Sequence, residues 1–142
     1  ATVMKINGDL ERIADLAVNI GRRTESLARF PEFEMPDDLD KMAQIAIAMV
    51  REALDAFVRL DANAAREVCI RDDEVDDLNR EVIAGLRKLI AEHRGDIEPA
   101  LYFFSASRHV ERIGDHATNI AEDVIYRVEG EITRHRYDES NI

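Results

Sequence analysis

Apolar positions recur at helical spacing along almost the whole chain, and no segment alternates with the period of two that a half-buried strand requires. Ile6, Leu10, Ile13, Ala17 and Ile20 lie on one stripe and predict a first helix over about residues 3–29. Residues 30–36, which include Pro31 and Pro36, break it, because proline removes a donor and disfavours helix in the residue before it. Asp37 or Asp38 is expected to cap a second helix that reaches about Leu60, with Met42, Ile45, Met49, Ala53, Ala56 and Leu60 inward. Asp61 is the expected cap of a third helix over about 62–92, whose stripe contains Val68, Val75, Leu78, Val82, Leu86 and Leu89. Gly95 and Asp96 are expected to end that helix and cap a fourth, with Pro99 acceptable in its first turn. The fourth helix is expected to run to about Val128, leaving a polar, frayed tail. The predicted fold class is all-α.

Short connections join the last three helices, which predicts an antiparallel three-helix bundle. The organisation expected is therefore a helix over 1–29, a linker over 30–36, a complete bundle over 37–128 and a polar tail over 129–142. The first helix is the odd one. Its segment Leu10-Glu11-Arg12-Ile13-Ala14-Asp15-Leu16-Ala17-Val18-Asn19-Ile20 recurs one hundred residues later as Val110-Glu111-Arg112-Ile113-Gly114-Asp115-His116-Ala117-Thr118-Asn119-Ile120. The first helix thus corresponds to the last helix of a bundle, and the expectation is that it closes an incomplete first bundle whose other two helices lie upstream. Its apolar stripe must be covered by its own bundle, by another copy or by a swapped element.

A chain of 142 residues is large enough for one real core. No run of eighteen apolar residues occurs, so at most a peripheral membrane association is expected. The single cysteine, Cys69, has no internal partner and suits a reducing cytoplasm. Thirty acids against nineteen Lys and Arg give a formal charge of -11. Such a balance repels phosphate backbones, which argues against nucleic acid and favours cations or basic protein surfaces as partners.

The duplicated segment keeps Glu, Arg, Ile, Asp, Asn and Ile by identity, whereas packing asks only for apolar character at buried positions. On an ideal helix Glu111, Asp115 and Asn119 form one column, continued by Glu122, facing roughly away from the Ile113, Ala117 and Ile120 stripe. Glu11, Asp15 and Asn19 repeat the arrangement. Asp72 and Asp76 make another pair four apart on the flank of the third helix, with Asp73, Asp77 and Glu81 on a line farther out. Like charges at this spacing cost about 0.2–0.5 kcal/mol per pair unless something offsets them. One reading is a solvated face neutralised by Arg12, Arg108 and Arg112. The other is a hard-cation site in which carboxylates of two adjacent helices bridge one or more metal ions. Oxygen donors favour magnesium, manganese, calcium or iron over copper.

The remaining chemistry-bearing residues read as structural. His109 and His116 suit hydrogen-bonded packing, His93 and His135 fall near helix ends, and Cys69 suits a small buried hydrophobe. Tyr102, Phe103 and Phe104 are core or interface residues. No Gly-rich phosphate loop or nucleophile–His set can be assembled. The Glu-x-x-His pattern of di-iron bundles fails at the motif, since Gly114 stands three residues after Glu111. A metal-dependent enzyme using these acids and a helical scaffold with no metal site stay open as alternatives to a binding protein.

Glu-Arg-Ile-x-Asp-x-x-x-Asn-Ile, present twice on helices that close three-helix bundles, resembles the signature of the PhoU family, and the resemblance covers nearly the whole chain. The segment from His109 to Glu122 is similar to the signature of the family's second repeat, and Asp72-Asp73-Glu74-Val75-Asp76-Asp77-Leu78 to its partner acidic motif. The resemblance implies a non-enzymatic, cytoplasmic regulator linking a phosphate ABC transporter to a sensor histidine kinase and restraining both when phosphate is plentiful. It also implies an iron or zinc site, with Asp72 and Asp76 opposite Glu111 and Asp115, and half of a second site at Glu11 and Asp15. Manganese or magnesium also suits these donors. The unmatched first helix makes a homo-oligomer, such as a dimer, the expected state.

Overall fold

Four helices form where the periodicity places them. The computed structural model describes residues 2–92 and 97–141, in which α1 spans Thr2–Leu27, α2 Asp37–Arg59, α3 Ala62–Glu92 and α4 Ile97–Ser140. The described residues contain no strand, so the chain is all-α, and none of the helices is long and apolar enough to cross a membrane. The stop and cap expected at Gly95 and Asp96, and the helix-end position of His93, lie outside the described residues.

The ends follow local chemistry with two departures from expectation. Asp61 caps α3 through its side chain, accepting the Ala64 N–H at 3.0 Å, while its carbonyl accepts from Ala65 at 3.1 Å. At α2 the cap position belongs to Pro36, without a side-chain hydrogen bond, and Asp37, Asp38 and Asp40 fall inside the first turn. Three carboxylates there interact favourably with the exposed N–H groups and the positive end of the helix. The turn between α2 and α3 is closed by Leu60 in the left-handed conformation (φ 53°, ψ 43°), with the Asp61 N–H donating to Ala56 O at 2.9 Å. Leu60 therefore serves as the stop of α2 and not as an inward residue, and it is exposed. The second departure is α4, which continues to Ser140 instead of ending near Val128. Residues 129–141 stay exposed along this extension, so the expected polarity is present but the expected end of the helix is not. Arg66 of α3 pairs with Glu129 at its start.

Helices α2, α3 and α4 surround one core. Met42, Ala46, Met49, Ala53 and Ala56 of α2 meet Val68, Val75, Val82 and Leu86 of α3, and Phe103, Val110, Ala117, Ile120 and Val124 of α4; all are buried. Small residues on α2 let the helices approach, and the larger side chains of α3 and α4 fill the space between. The Arg66–Glu129 and Asn79–Glu111 pairs run oppositely along α3 and α4, and the tight turn at Leu60 and Asp61 returns α3 along α2, so α3 is antiparallel to both neighbours. Ile45, Leu78 and Leu89, expected inward, are only half-buried at the helix flanks.

Among the described residues, helix α1 packs on α4 and on no other helix. Asp9 meets His116, Arg23 meets Ser105 and Arg29 meets Glu98, an antiparallel pairing whose register brings Ile13 opposite Ile113. Those two residues are equivalent positions of the duplicated segment, so the copies cross near their centres with approximate twofold symmetry. The α1 stripe is thus covered in part by α4, which leaves Leu10, Ile13 and Ile20 half-buried. Its buried residues are Ile6 and Leu16, while Ala17, expected inward, is exposed. Phe33, between α1 and α2, stacks on Phe103 with ring centroids 5.4 Å apart and fixes the linker over the end of the bundle.

Candidate metal centre

The acidic column of α4 does not stand clear of the bundle. Glu111 is half-buried against α3, and Asp72 and Asp76 of α3 are half-buried against α4, whereas Asp115 is exposed above them. The antiparallel α3–α4 pairing brings these four acids into one electrostatic cluster. Asp72 is pushed up to about 6, first by burial and then by the charges of Asp76, Asp115, Asp73 and Glu111. Asp76 is raised by burial and by Asp115, with Arg80 opposing. Glu111 is raised by burial, then by Asp76 and Asp115, and is lowered by its hydrogen bond from Asn79 and by Arg108. Asp72, Asp76 and Glu111, each raised by burial and by acidic neighbours, are held in this half-buried seam by the packing of their helices and not by mutual attraction.

Asp72 carries the strongest local signal. Its Oδ1 is buried and has no hydrogen-bond partner. It lies over Gly114, where an added Cβ would sit 3.5 Å from it, beside Val75 and Met49. A buried carboxylate oxygen without a donor is costly, and a cation is one group that would satisfy it. The donor chemistry fits a hard or borderline metal. Among the described residues, however, no three His, Cys, Asp or Glu side chains already converge on one point with metal-holding geometry. The cluster is gathered by the fold, and ligation would require side-chain rotation.

The other candidates separate cleanly. Glu11 and Asp15 are exposed on α1, and neither is among the charges acting on Asp72, Asp76 or Glu111. Among the described residues, α1 contacts neither α2 nor α3, so no acidic middle helix lies beside that pair. Asp73, Asp77 and Glu81 form the exposed outer line, where Asp77 pairs with Arg80 at 2.8 Å. Arg12, Arg108 and Arg112 form no ion pair with the column among the described residues. His116 Nδ1 meets Asp9 Oδ1 at 2.8 Å in the α1–α4 seam, and His109 bonds the Ser105 carbonyl, so both histidines are packing residues. His135 is exposed. Cys69 is a half-buried free thiol, raised by burial and by the nearby charges of Glu122 and Asp72.

Two residues were invisible to the motif. Asn79 donates its side-chain N–H to Glu111 Oε2, and Ser107, fully buried, donates to Asn79 Oδ1. Asn79 follows Asp72 by seven residues and Asp76 by three, so it shares their helix face. That spacing was the available signal.

Similarity to known proteins agrees with this arrangement. The model of the PhoU domain family matches residues 39–124, the α2–α4 bundle. A phosphate-specific transport system accessory protein PhoU homolog from Clostridium acetobutylicum is 33% identical over 129 residues, which cover 91% of this chain and 59% of that protein. The homolog from Zymomonas mobilis is 38% identical over 127 residues, covering 89% of this chain and 54% of that one. The crystal structure of PhoU from Pseudomonas aeruginosa superimposes with a TM-score of 0.85 at 39% identity, covering 91% of this chain and 62% of that chain. The chain therefore spans a little over half the length of the curated relatives it matches. A family match across the whole bundle, carrying the acidic motifs on adjacent helices, makes this chain a member of the PhoU family.

Proposed function

We propose that this chain is a non-enzymatic regulator of phosphate uptake and of phosphate-starvation signalling, which binds metal at Asp72, Asp76, Glu111 and Asp115. Its relatives bear the name of phosphate-specific transport system accessory proteins, which supports a regulatory reading. The observation that carries the metal reading is the gathering of four carboxylates across α3 and α4 around an unpartnered, buried Asp72 Oδ1. Bound iron or zinc would neutralise the cluster and tie α3 to α4; manganese or magnesium would suit the same oxygen donors. Within the chain, Asp72 offers a pre-buried oxygen, Glu111 is oriented by Asn79, and Asp76 and Asp115 stand at the open side. Glu11 and Asp15 would need acids from another bundle or another copy to make a second site.

The partners proposed are a phosphate ABC transporter and a sensor histidine kinase, engaged from the cytoplasm by a surface whose net charge of -11 suits basic docking faces. A homo-oligomer is proposed because Val3, Met4 and Val18 remain exposed on α1. The test of the metal reading is elemental analysis of protein purified without chelator, beside a Glu111→Ala/Asp115→Ala double variant. Stoichiometric iron or zinc that disappears in the variant with helix content unchanged is the expected result. Absence of metal from both would return the acids to a solvated or protein-docking face.

A further inference from the structure

We infer that Ser107 and Asn79 are positioning residues that hold Glu111 in one orientation, with one carboxylate oxygen occupied and the other left for a cation. This inference rests on the metal-binding reading above and assigns the residues that orient its ligand. Ser107 is buried in an otherwise apolar core, with Met42 Sδ 3.7 Å from its hydroxyl. A buried hydroxyl costs stability unless it is hydrogen-bonded, and packing alone would be served by Ala. Its polar partner is Asn79 Oδ1, and Asn79 Nδ2 in turn reaches Glu111 Oε2.

Chemistry fixes the direction of this chain. A carboxylate only accepts, so Asn79 must present its N–H2 to Glu111. The amide oxygen then faces inward, and Ser107 must donate to it. Glu111 therefore decides which end of the amide it meets, and Ser107 anchors the other end, restraining the Asn79 side chain. Without the hydroxyl, the inward amide oxygen would be left without a donor and the Asn79 side chain would be free to shift away from Glu111. Asn79 holds Oε2, so Oε1 remains the available donor. Partners of this kind outside a metal's ligands commonly tune affinity by about ten- to a hundredfold.

The experiment is calorimetric titration of Zn2+ into the chelator-stripped chain and its Asn79→Ala, Ser107→Ala and doubly substituted variants, with helix content checked by circular dichroism. Alanine is the better helix former at both positions, and Asn79→Leu supplies a variant that retains side-chain volume. Asn79→Ala and Asn79→Leu are expected to weaken Zn2+ binding by about ten- to a hundredfold. Ser107→Ala is expected to weaken it less, and to add nothing once Asn79 is Ala, because it acts only through that amide. Binding by Asn79→Ala equal to wild type overturns the inference while leaving the metal site standing. So does a Ser107→Ala loss that persists in full in the Asn79→Ala background, since that marks a packing effect. Wild-type protein that takes up no Zn2+ overturns the metal reading itself, and the positioning role with it.

Discussion

Replacing Asp72 by Asn should make the metal-free protein more stable at neutral pH. The amide keeps the shape of the carboxylate, and its oxygen can occupy the buried place over Gly114. What disappears is a charge that burial and four neighbouring acids oppose, and which is pushed from 3.8 up to about 6. Taken at face value this displacement corresponds to about 3 kcal/mol. Asp72 is only half-buried, so solvent screening reduces the expected gain to about 1 kcal/mol. The sign follows from the direction of the shift. Well below pH 4 the carboxyl is protonated in both the folded and the unfolded chain and costs nothing. As pH rises from about 4 to 6 the unfolded chain loses its proton first, so folded stability falls, and above 6 the whole penalty is present. Urea denaturation of both proteins in chelator, from pH 4 to 7.5, should show only a small difference at the acid end. At pH 7.5 Asp72→Asn should be ahead by about 1 kcal/mol, or about 3 °C in melting temperature. A variant less stable than wild type at pH 7.5, or a gain that does not change with pH, would refute the electrostatic account of the cluster.

Two further substitutions probe the frame around the site. Gly114→Ala should fit, because its Cβ would meet Asp72 Oδ1 at 3.5 Å, Val75 Cγ1 at 3.7 Å and Met49 Cε at 3.9 Å, all ordinary contacts. Helix propensity favours it by up to about 1 kcal/mol, and α1 already has Ala14 at the equivalent position. The new methyl further desolvates Asp72, so the gain in urea should be larger at pH 4 than at pH 7.5; a net loss at both would show that the helices cannot admit it. Leu60→Gly should stabilise the α2–α3 turn by about 0.5–1 kcal/mol, since Leu60 holds a left-handed backbone that glycine adopts without steric cost. A drop in thermal midpoint would mean that the apolar contacts of Leu60 outweigh the relief.

Long amphipathic helices were legible in the sequence because their stripes are continuous over many turns. Met42, Met49, Ala53, Val68, Val75, Val82 and Leu86 recur at spacings that only a helix places on one face, and all are buried. Asp61 was legible as a cap because a carboxylate just before a helical run has one inexpensive use. Glu111 and Asp115 stood out because a duplicated identity is more than packing requires, and Asp72 and Asp76 as another acidic pair four apart on the preceding helix. Periodicity could not say how far α4 continues, because an exposed polar helix and an exposed polar coil have the same composition.

Tertiary structure decided what surrounds each stripe. A helical angle measured from one segment treats everything off the stripe as solvent, whereas α3 lies against the flank of α4 and half-buries Glu111. The same limit concealed Ser107 and Asn79, twenty-eight residues apart and joined only when antiparallel helices bring them to one level. It also governed α1, whose stripe announces burial without naming the surface that provides it; α4 does, crossing it near Ile13 and Ile113. Sequence determines which side chains share a face, since that is a property of one helix. Only the packing of helices decides which faces meet, and thereby which charges lose water and are forced together.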